Sequence, residues 1–153
     1  MNATMKTSLT FFLLMSAAAL AAYTPTASAQ VAPLIKNTGN SRCLAANTMG
    51  AVVTQACGGA AIYSQRWTQV NTGSGFLIKN IGTQSCLNNH ATGKVFMSPC
   101  NPATASQRWL RQNFSPLTAR YRSIGTGLFL NSTSAGGVLS GPFMASPLQV
   151  WAY

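Results

Sequence analysis

The tetrapeptide Ser64-Gln65-Arg66-Trp67 recurs as Ser106-Gln107-Arg108-Trp109, and a looser copy, Leu148-Gln149-Val150-Trp151, lies near the end of the sequence. The three tryptophans are therefore separated by 42 residues each time. A fixed period of this length is typical of repeat architectures, in which each unit packs on its neighbours to bury a shared core. The period predicts three units, at about 33–70, 76–112 and 119–153.

The cysteines follow the same repeat. Each of the first two units has a cysteine pair 14 residues apart, and the third unit has Phe129 and Phe143 at the same spacing. Two positions that change together from Cys/Cys to Phe/Phe are expected to touch in space. An even cysteine count in a small exported chain also indicates disulfides. We therefore predict the bridges Cys43–Cys57 and Cys86–Cys100.

The local pattern is that of an all-β protein. Short apolar runs alternate with Gly, Asn, Ser, Thr and Pro, which are turn formers, and no segment shows a sustained helical period. We expect about four short strands per unit, closed into a small barrel with a hairpin cap. The predicted strands are 33–37, 52–55, 65–69, 76–80, 95–98, 108–111, 120–123, 138–139 and 150–153.

Three in-phase Gln-x-Trp motifs, each with an upstream Gly and a Cys-Leu or Phe-Leu segment, resemble the repeat of ricin B-type lectins. The resemblance covers residues 33–153 and implies a β-trefoil. It also implies that Trp67, Trp109 and Trp151 fill the core. In the same family the glutamine of each motif satisfies backbone groups that would be costly to bury unpaired.

The resemblance further assigns sugar-binding positions in each unit. The family's aspartate position holds Ala45, Asn88 and Asn131, its aromatic position holds Gln55, Ser98 and Gly141, and its asparagine position holds Ser64, Ser106 and Leu148. The loss of the carboxylate and of the aromatic platform predicts degenerate sugar sites, because charge-assisted hydrogen bonds are about twice as strong as neutral ones. The candidate ligand-binding residues are Asn88, Asn89, His90, Ser106, Gln107 and Asn131. The alternative is that Asn88 and Asn89 are ordinary loop residues.

The N-terminal segment has the layout of a secretory signal peptide. Lys6 precedes the apolar run Leu9–Ala22, and Ala27-Ser28-Ala29 follows as a cleavage signal. The run is too short for a transmembrane helix, which needs roughly 20 residues. We predict cleavage after Ala29, a mature domain 30–153 without a transmembrane segment, and an extracellular or periplasmic location.

The charge is one-sided: ten Lys and Arg residues face no Asp or Glu at all, and nine of the ten remain after removal of the leader. Carboxylate pairs, acidic triad members and carboxylate metal cages are therefore excluded. His90 is the only imidazole. We predict a protein that is not an enzyme and has no metal or cofactor.

The unpaired cations predict an anionic ligand, with solubility as the alternative explanation. The arginines expected to form the anionic patch are Arg66, Arg108, Arg111, Arg120 and Arg122. No nucleic-acid motif accompanies them, so no nucleic acid is expected.

The sequence thus predicts a secreted, lectin-like protein that binds carbohydrate or another anionic cell-surface ligand. One alternative is a non-catalytic docking subunit with a catalytic toxin partner, as in cytolethal distending toxins, which it resembles. Another is a basic envelope-binding protein that acts by charge alone.

Overall fold

The computed structural model describes residues 32–153, so the predicted leader, residues 1–29, lies outside the described residues. Twelve strands run through this part of the chain, four in each repeat. They are β1 (Lys36–Asn37), β2 (Cys43–Ala46), β3 (Val52–Gln55), β4 (Trp67–Asn71), β5 (Phe76–Asn80), β6 (Cys86–Asn89), β7 (Val95–Ser98), β8 (Arg108–Ser115), β9 (Thr118–Ser123), β10 (Phe129–Ser132), β11 (Val138–Gly141) and β12 (Trp151–Ala152). Short 3-10 turns carry the glutamines, at Tyr63–Gln65, Ala105–Gln107 and Pro147–Gln149.

The first and fourth strands of the repeats form a ring. β1 pairs with β12, β12 with β9, β9 with β8, β8 with β5 and β5 with β4, all antiparallel. The bridge between Leu34 and Arg66 completes the ring beside β1. The remaining strands form the hairpins β2–β3, β6–β7 and β10–β11. This arrangement of three four-strand units is the predicted β-trefoil.

The three hairpins interlock at one end of the ring. In each hairpin a turn glycine has positive φ, between 82° and 97°, a conformation that favours glycine. Its carbonyl accepts a hydrogen bond from the third strand of another repeat. The pairs are Gly50 with the Met97 amide at 2.9 Å, Gly93 with the Ser140 amide at 2.8 Å, and Gly136 with the Thr54 amide at 2.7 Å.

The core confirms the predicted role of the tryptophans. All three indoles are buried, and each donates to a backbone carbonyl of the second strand of its own repeat. The Nε1–O distances are 2.9 Å for Trp67 to Leu44, 3.1 Å for Trp109 to Leu87 and 3.1 Å for Trp151 to Leu130. A buried indole N–H without an acceptor would cost free energy, so these bonds fix where each ring can sit.

Both predicted disulfides are present, Cys43–Cys57 and Cys86–Cys100. Phe129 and Phe143 make the predicted contact in the third repeat. Their ring centroids are 5.7 Å apart in an edge-to-face arrangement, which is a favourable geometry for aromatic pairs. The covalent staple of two repeats is thus replaced by an aromatic contact in the third.

The strand predictions were incomplete at one position of each repeat. β2, β6 and β10 were missed, although four strands per unit were expected. Their sequences include Ala45, Ala46, Asn88 and Asn89, residue types with low strand propensity. Pairing with the following strand, over four residues in each case, overrides this local preference.

Candidate lectin site

The fold brings the three predicted sugar positions to equivalent places on the hairpins. Each family aspartate position is the third residue of the second strand and lies opposite a residue of the third strand. The facing pairs are Ala45 with Val53, Asn88 with Phe96, and Asn131 with Leu139. Facing residues on paired antiparallel strands lie on one side of the sheet, so each pair contributes to a common surface.

Repeat 1 has a cleft at this place, with a volume of about 450 Å³. Its walls are formed mainly by small or apolar groups, including Ala45, Ala51 and Val53, with Gln55 and Ser64 at the edge. The volume falls within the range of small-molecule sites, about 300–1,000 Å³. The cleft therefore has the size for a sugar ring, but Ala45 offers no hydrogen-bonding group where the family has a carboxylate.

Repeat 2 carries a polar and aromatic version of the same surface. Residues 43 positions after those lining the repeat 1 cleft are Asn88 for Ala45, Lys94 for Ala51, Phe96 for Val53, Ser98 for Gln55 and Ser106 for Ser64. A side chain able to hydrogen-bond, a cation and an aromatic ring thus replace three apolar groups.

The side chains of repeat 2 contact one another. The Asn88 amide donates to the Ser98 hydroxyl at 3.1 Å, and the Lys94 ammonium lies 6.0 Å from the centroid of the Phe96 ring. Asn88 and Phe96 are both partly exposed, whereas Ala45 and Asn131 are buried, with 3% and 7% of their surface exposed. Among the three equivalent positions, Asn88 is therefore the most accessible to a ligand.

Two predicted ligand residues have structural roles instead. Asn89 lies next to Asn88 on the strand, so its side chain points to the other face, and its amide donates to Thr126 at 2.6 Å and to Ser140 at 3.0 Å. Gln107 is buried and binds at both ends: its Oε1 accepts from the Asn101 amide at 2.8 Å, and its Nε2 donates to the Pro99 carbonyl at 2.9 Å.

Gln65 and Gln149 make the same pair of backbone bonds in their own repeats. This threefold repetition corrects the expectation that Gln107 faces a ligand.

The other candidates are placed differently from one another. His90 is exposed, and its Nδ1 lies 3.0 Å from the Thr92 hydroxyl. Ser106 is half-buried beside Gln107. Asn131 is buried in repeat 3, and no protein group of the described residues donates to its Oδ1. The structure therefore brings Asn88, His90 and Ser106 to one equivalent surface and leaves Asn131 in another repeat.

The predicted arginine patch is divided by strand alternation. Leu110 pairs with Arg122 and Gln112 with Arg120, so Arg120 and Arg122 share one face of the β8–β9 hairpin, on which Arg108 also lies. Arg111 pairs with Tyr121 on the opposite face and stacks on Tyr153, with 4.6 Å from the guanidinium carbon to the ring centroid. Arg66 belongs to repeat 1, where its Nη1 donates to the Ala32 carbonyl at 3.3 Å.

Sequence reasoning missed Lys94 and Phe96 as site residues. The signal was the pairing register: only the alignment of Asn88 with Phe96 shows that an aromatic ring faces the family's sugar position. Phe96 lies two residues before the family's aromatic position, Ser98, and therefore points to the same side of the strand.

Twelve strands in three equivalent units, with buried indoles and a repeated surface position, define a β-trefoil with lectin-type geometry. The model of the ricin-type β-trefoil lectin domain matches residues 27–113, more than half of the chain. The protein therefore belongs to the ricin-type β-trefoil lectin domain family, whose domains are carbohydrate-binding, non-catalytic modules. The matched segment contains repeats 1 and 2, the two that retain both cysteines and the Gln-Arg-Trp motif. Comparison with curated proteins gives no match.

Solved structures confirm the fold at low sequence identity. The designed threefold symmetric protein ThreeFoil aligns with a TM-score of 0.68 and 15% identity, covering 78% of this chain and 94% of that chain. SeviL, solved with the asialo-GM1 saccharide, aligns with a TM-score of 0.65 and 14% identity, covering 78% and 92%. A Clostridium perfringens endo-β-galactosidase that releases GlcNAcα1-4Gal aligns with a TM-score of 0.70 and 17% identity, covering 78% of this chain but 31% of the enzyme.

Proposed function

We propose that this protein is a secreted lectin-like protein that binds cell-surface glycans, and that repeat 2 supplies its sugar site. The observation that carries the proposal is the surface formed by Asn88, Phe96 and Ser98, with Lys94 beside it. It occupies the family's sugar-binding position and is lined by polar and aromatic groups where repeat 1 has apolar ones.

Each of these side chains suits a sugar ring. The amide of Asn88 can both donate to and accept from sugar hydroxyls, and the ring of Phe96 offers an apolar face of the kind that lines small-ligand sites. Neutral hydrogen bonds contribute about 0.5–1.5 kcal/mol each. Asn88 replaces a charged residue, so we expect weaker binding than in family members that retain the aspartate.

A glycan array probed at two salt concentrations tests the proposal. Asn88→Ala and Phe96→Ala should each reduce binding, because one removes the hydrogen-bonding amide and the other removes the apolar platform. Val53→Ala is the matched control: it changes the equivalent of Phe96 in repeat 1, is exposed, and should leave binding unchanged. Wild-type binding by both repeat 2 variants, with their fold intact, would refute the assignment.

Secretion is the second part of the proposal. The leader pattern of residues 1–29 and the two disulfides support it, since disulfides persist in oxidising compartments. N-terminal sequencing of the exported protein should give Gln30 as the first residue. Retention of Met1 in a cytoplasmic protein with reduced thiols would contradict secretion. No helix of residues 32–153 is long and apolar enough to cross a membrane.

The alternative function is that of a docking subunit with a catalytic toxin partner. The observation that favours it is the tip of the β8–β9 hairpin, where Phe114 and Leu117 are 63% and 70% exposed. A basic chain without Asp or Glu would suit an acidic partner. Native mass measurement of the untagged protein from its own host should then show a stoichiometric complex with a catalytic chain, whereas a pool of monomer alone would contradict this function.

A further inference from the structure

A second cleft lies away from the family's sugar positions. It is bounded by the β8–β9 hairpin, by the 3-10 turn of repeat 3 and by Thr38 of repeat 1, and its volume is about 430 Å³. The residues Asn131, Gly141 and Leu148, which hold the family's positions in repeat 3, do not line it. Phe114, Thr118, Arg120, Pro147 and Val150 do. The cleft is large enough for one sugar ring and is not the lectin site of any repeat.

Arg120 supplies the charge of this cleft. Its guanidinium carbon lies 4.7 Å from the ring centroid of Phe114 and 5.2 Å from that of Phe143. Such stacking leaves the edge of the planar guanidinium as the group that can still form hydrogen bonds. Within residues 32–153 no protein group accepts from its buried Nε, and the sequence has no Asp or Glu to act as a counter-ion.

The threefold repeat shows that this cation is specific to repeat 3. The equivalent positions in repeats 1 and 2 hold Leu34 and Leu77, which face Arg66 and Arg108 of the Gln-Arg-Trp motifs. Repeat 3 reverses the order of residue types, with Arg120 on β9 and Val150 in the motif.

The reversal changes what the arginines bind. Arg66 and Arg108 each donate to a protein oxygen, that of Ala32 and that of Ser74 respectively. Arg120 is held between two rings, and none of the hydrogen bonds in the described residues involves it. Its position therefore serves the cleft rather than the backbone around it.

The structure around Arg120 also departs from the other repeats. β8 and β9 have eight and six residues, whereas β4 and β5 of the preceding hairpin have five each. The longer hairpin brings Phe114 to the cleft. Phe143 takes the place of a disulfide cysteine and remains 59% exposed, although it also packs on Phe129.

The remaining lining is apolar with a few hydroxyl groups. Pro147 and Val150 form the apolar part, and the hydroxyls of Ser115 and Thr118 lie 2.7 Å apart at the hairpin end. Thr38 donates to the Pro147 carbonyl at 3.0 Å, which ties repeat 1 to this wall. An apolar pocket with a few converging polar groups and one cation is the usual form of a site for a small charged ligand.

We propose that this cleft binds a carboxylate-bearing sugar of the uronic or sialic acid type, a proposal that rests on the carbohydrate-binding function above. The guanidinium of Arg120 takes the carboxylate through paired hydrogen bonds, for which its planar fork is shaped. The apolar wall covers a face of the ring, and the hydroxyls at the hairpin end meet the ring hydroxyls. The protein then reads neutral sugar at repeat 2 and acidic sugar at this cleft.

The test is a titration of the exported protein with glucuronic acid, N-acetylneuraminic acid and glucose, followed by NMR or calorimetry. Wild type should bind at least one of the two acids and should bind glucose more weakly at this cleft. Arg120→Leu introduces the residue type that repeats 1 and 2 hold there, so the fold should survive. It should weaken binding of the acid by about tenfold or more, since a charge-assisted pair is lost.

Arg122→Leu is the matched control, because Arg122 lies on the same face of β9, is exposed, and does not line the cleft. It should change acid binding by less than about twofold, because an exposed charge acts only through a screened field. Arg120→Lys should bind the acid more weakly than wild type, because lysine keeps the charge but cannot form the paired hydrogen bonds.

Three results would overturn the inference: wild-type acid binding by Arg120→Leu, equal losses in Arg120→Leu and Arg122→Leu, or a dimer that Arg120→Leu dissociates, which would make the cleft an interface between two copies. Asn88→Ala separates the inference from the function on which it rests. Acid binding that survives Asn88→Ala and disappears in Arg120→Leu supports this cleft. Array binding that depends on Asn88, without binding of either acid, keeps the proposed function and removes the second site.

Discussion

Replacing Gln107 with alanine removes an amide that two backbone groups of the same repeat depend on. The side chain is buried, its Oε1 accepts from the Asn101 amide and its Nε2 donates to the Pro99 carbonyl. Alanine makes neither bond. If Gln107 is structural, the variant loses stability. If Gln107 is a ligand contact, the variant keeps its stability and loses sugar binding.

The size of the loss follows from those two groups. A backbone group left without a partner costs about 1–3 kcal/mol when buried. Asn101 and Pro99 are exposed residues, so water can partly replace the lost bonds, and we take the lower part of this range. Gln107→Ala should therefore lower the free energy of unfolding by about 2–4 kcal/mol, out of the 5–15 kcal/mol that typical domains have. For a domain of this size the melting temperature should fall by roughly 10 °C.

Urea unfolding followed by tryptophan fluorescence measures the effect, since all three indoles lie in the core. Gln112→Ala is the control, because Gln112 is exposed on β8 and the same change there should cost less than about 0.5 kcal/mol. Gln65→Ala should cost as much as Gln107→Ala, because the two amides make equivalent bonds. A loss below about 0.5 kcal/mol for Gln107→Ala would refute the structural role.

Three further outcomes are expected. Stability should change little between about pH 7 and pH 3, because acid unfolding mostly reflects carboxylates that must be protonated and the sequence has no Asp or Glu; a steep acid transition in melts followed by circular dichroism would contradict this. Burial raises the pKa of Tyr121 above its usual range, so the unfolded chain ionises first and stability should fall as the pH rises above about 10. Tyr121→Phe should lack this part of the alkaline loss, and identical pH profiles of the two proteins would argue against it. Replacing both Cys43 and Cys57 with alanine should lower the free energy of unfolding by about 2–4 kcal/mol, as urea unfolding would show, and the Cys86–Cys100 pair, which closes a loop of the same length, should behave alike; a large difference between the two pairs would contradict the equivalence of the repeats.

The part of the fold that depends on the repeat could be predicted from the sequence. A period of 42 residues places equivalent residues in equivalent surroundings, so it indicated the three units, both disulfides and the contact between Phe129 and Phe143. The second strand of each repeat could not be predicted. Segments such as Cys86–Asn89 have little strand propensity of their own and become strands through pairing.

The candidate site was predicted only in part. Asn88 and His90 follow from the family position, but Phe96 enters the site through the pairing of β6 with β7. Asn89 and Gln107 were expected beside Asn88 and instead bind groups within the protein. Adjacent residues on a strand point to opposite faces, so nearness in sequence does not make a common site.

By itself the sequence determined the number of units, the residues that fill their core and the sign of the charge, because these depend on periodicity and composition. The tertiary structure decided which charges share a surface. Arg111 and Arg120 are close in sequence yet lie on opposite faces of one hairpin, while Arg120 meets Phe143 from a later strand connection. Such a meeting depends on strand register and on how the repeats pack, which no local pattern records.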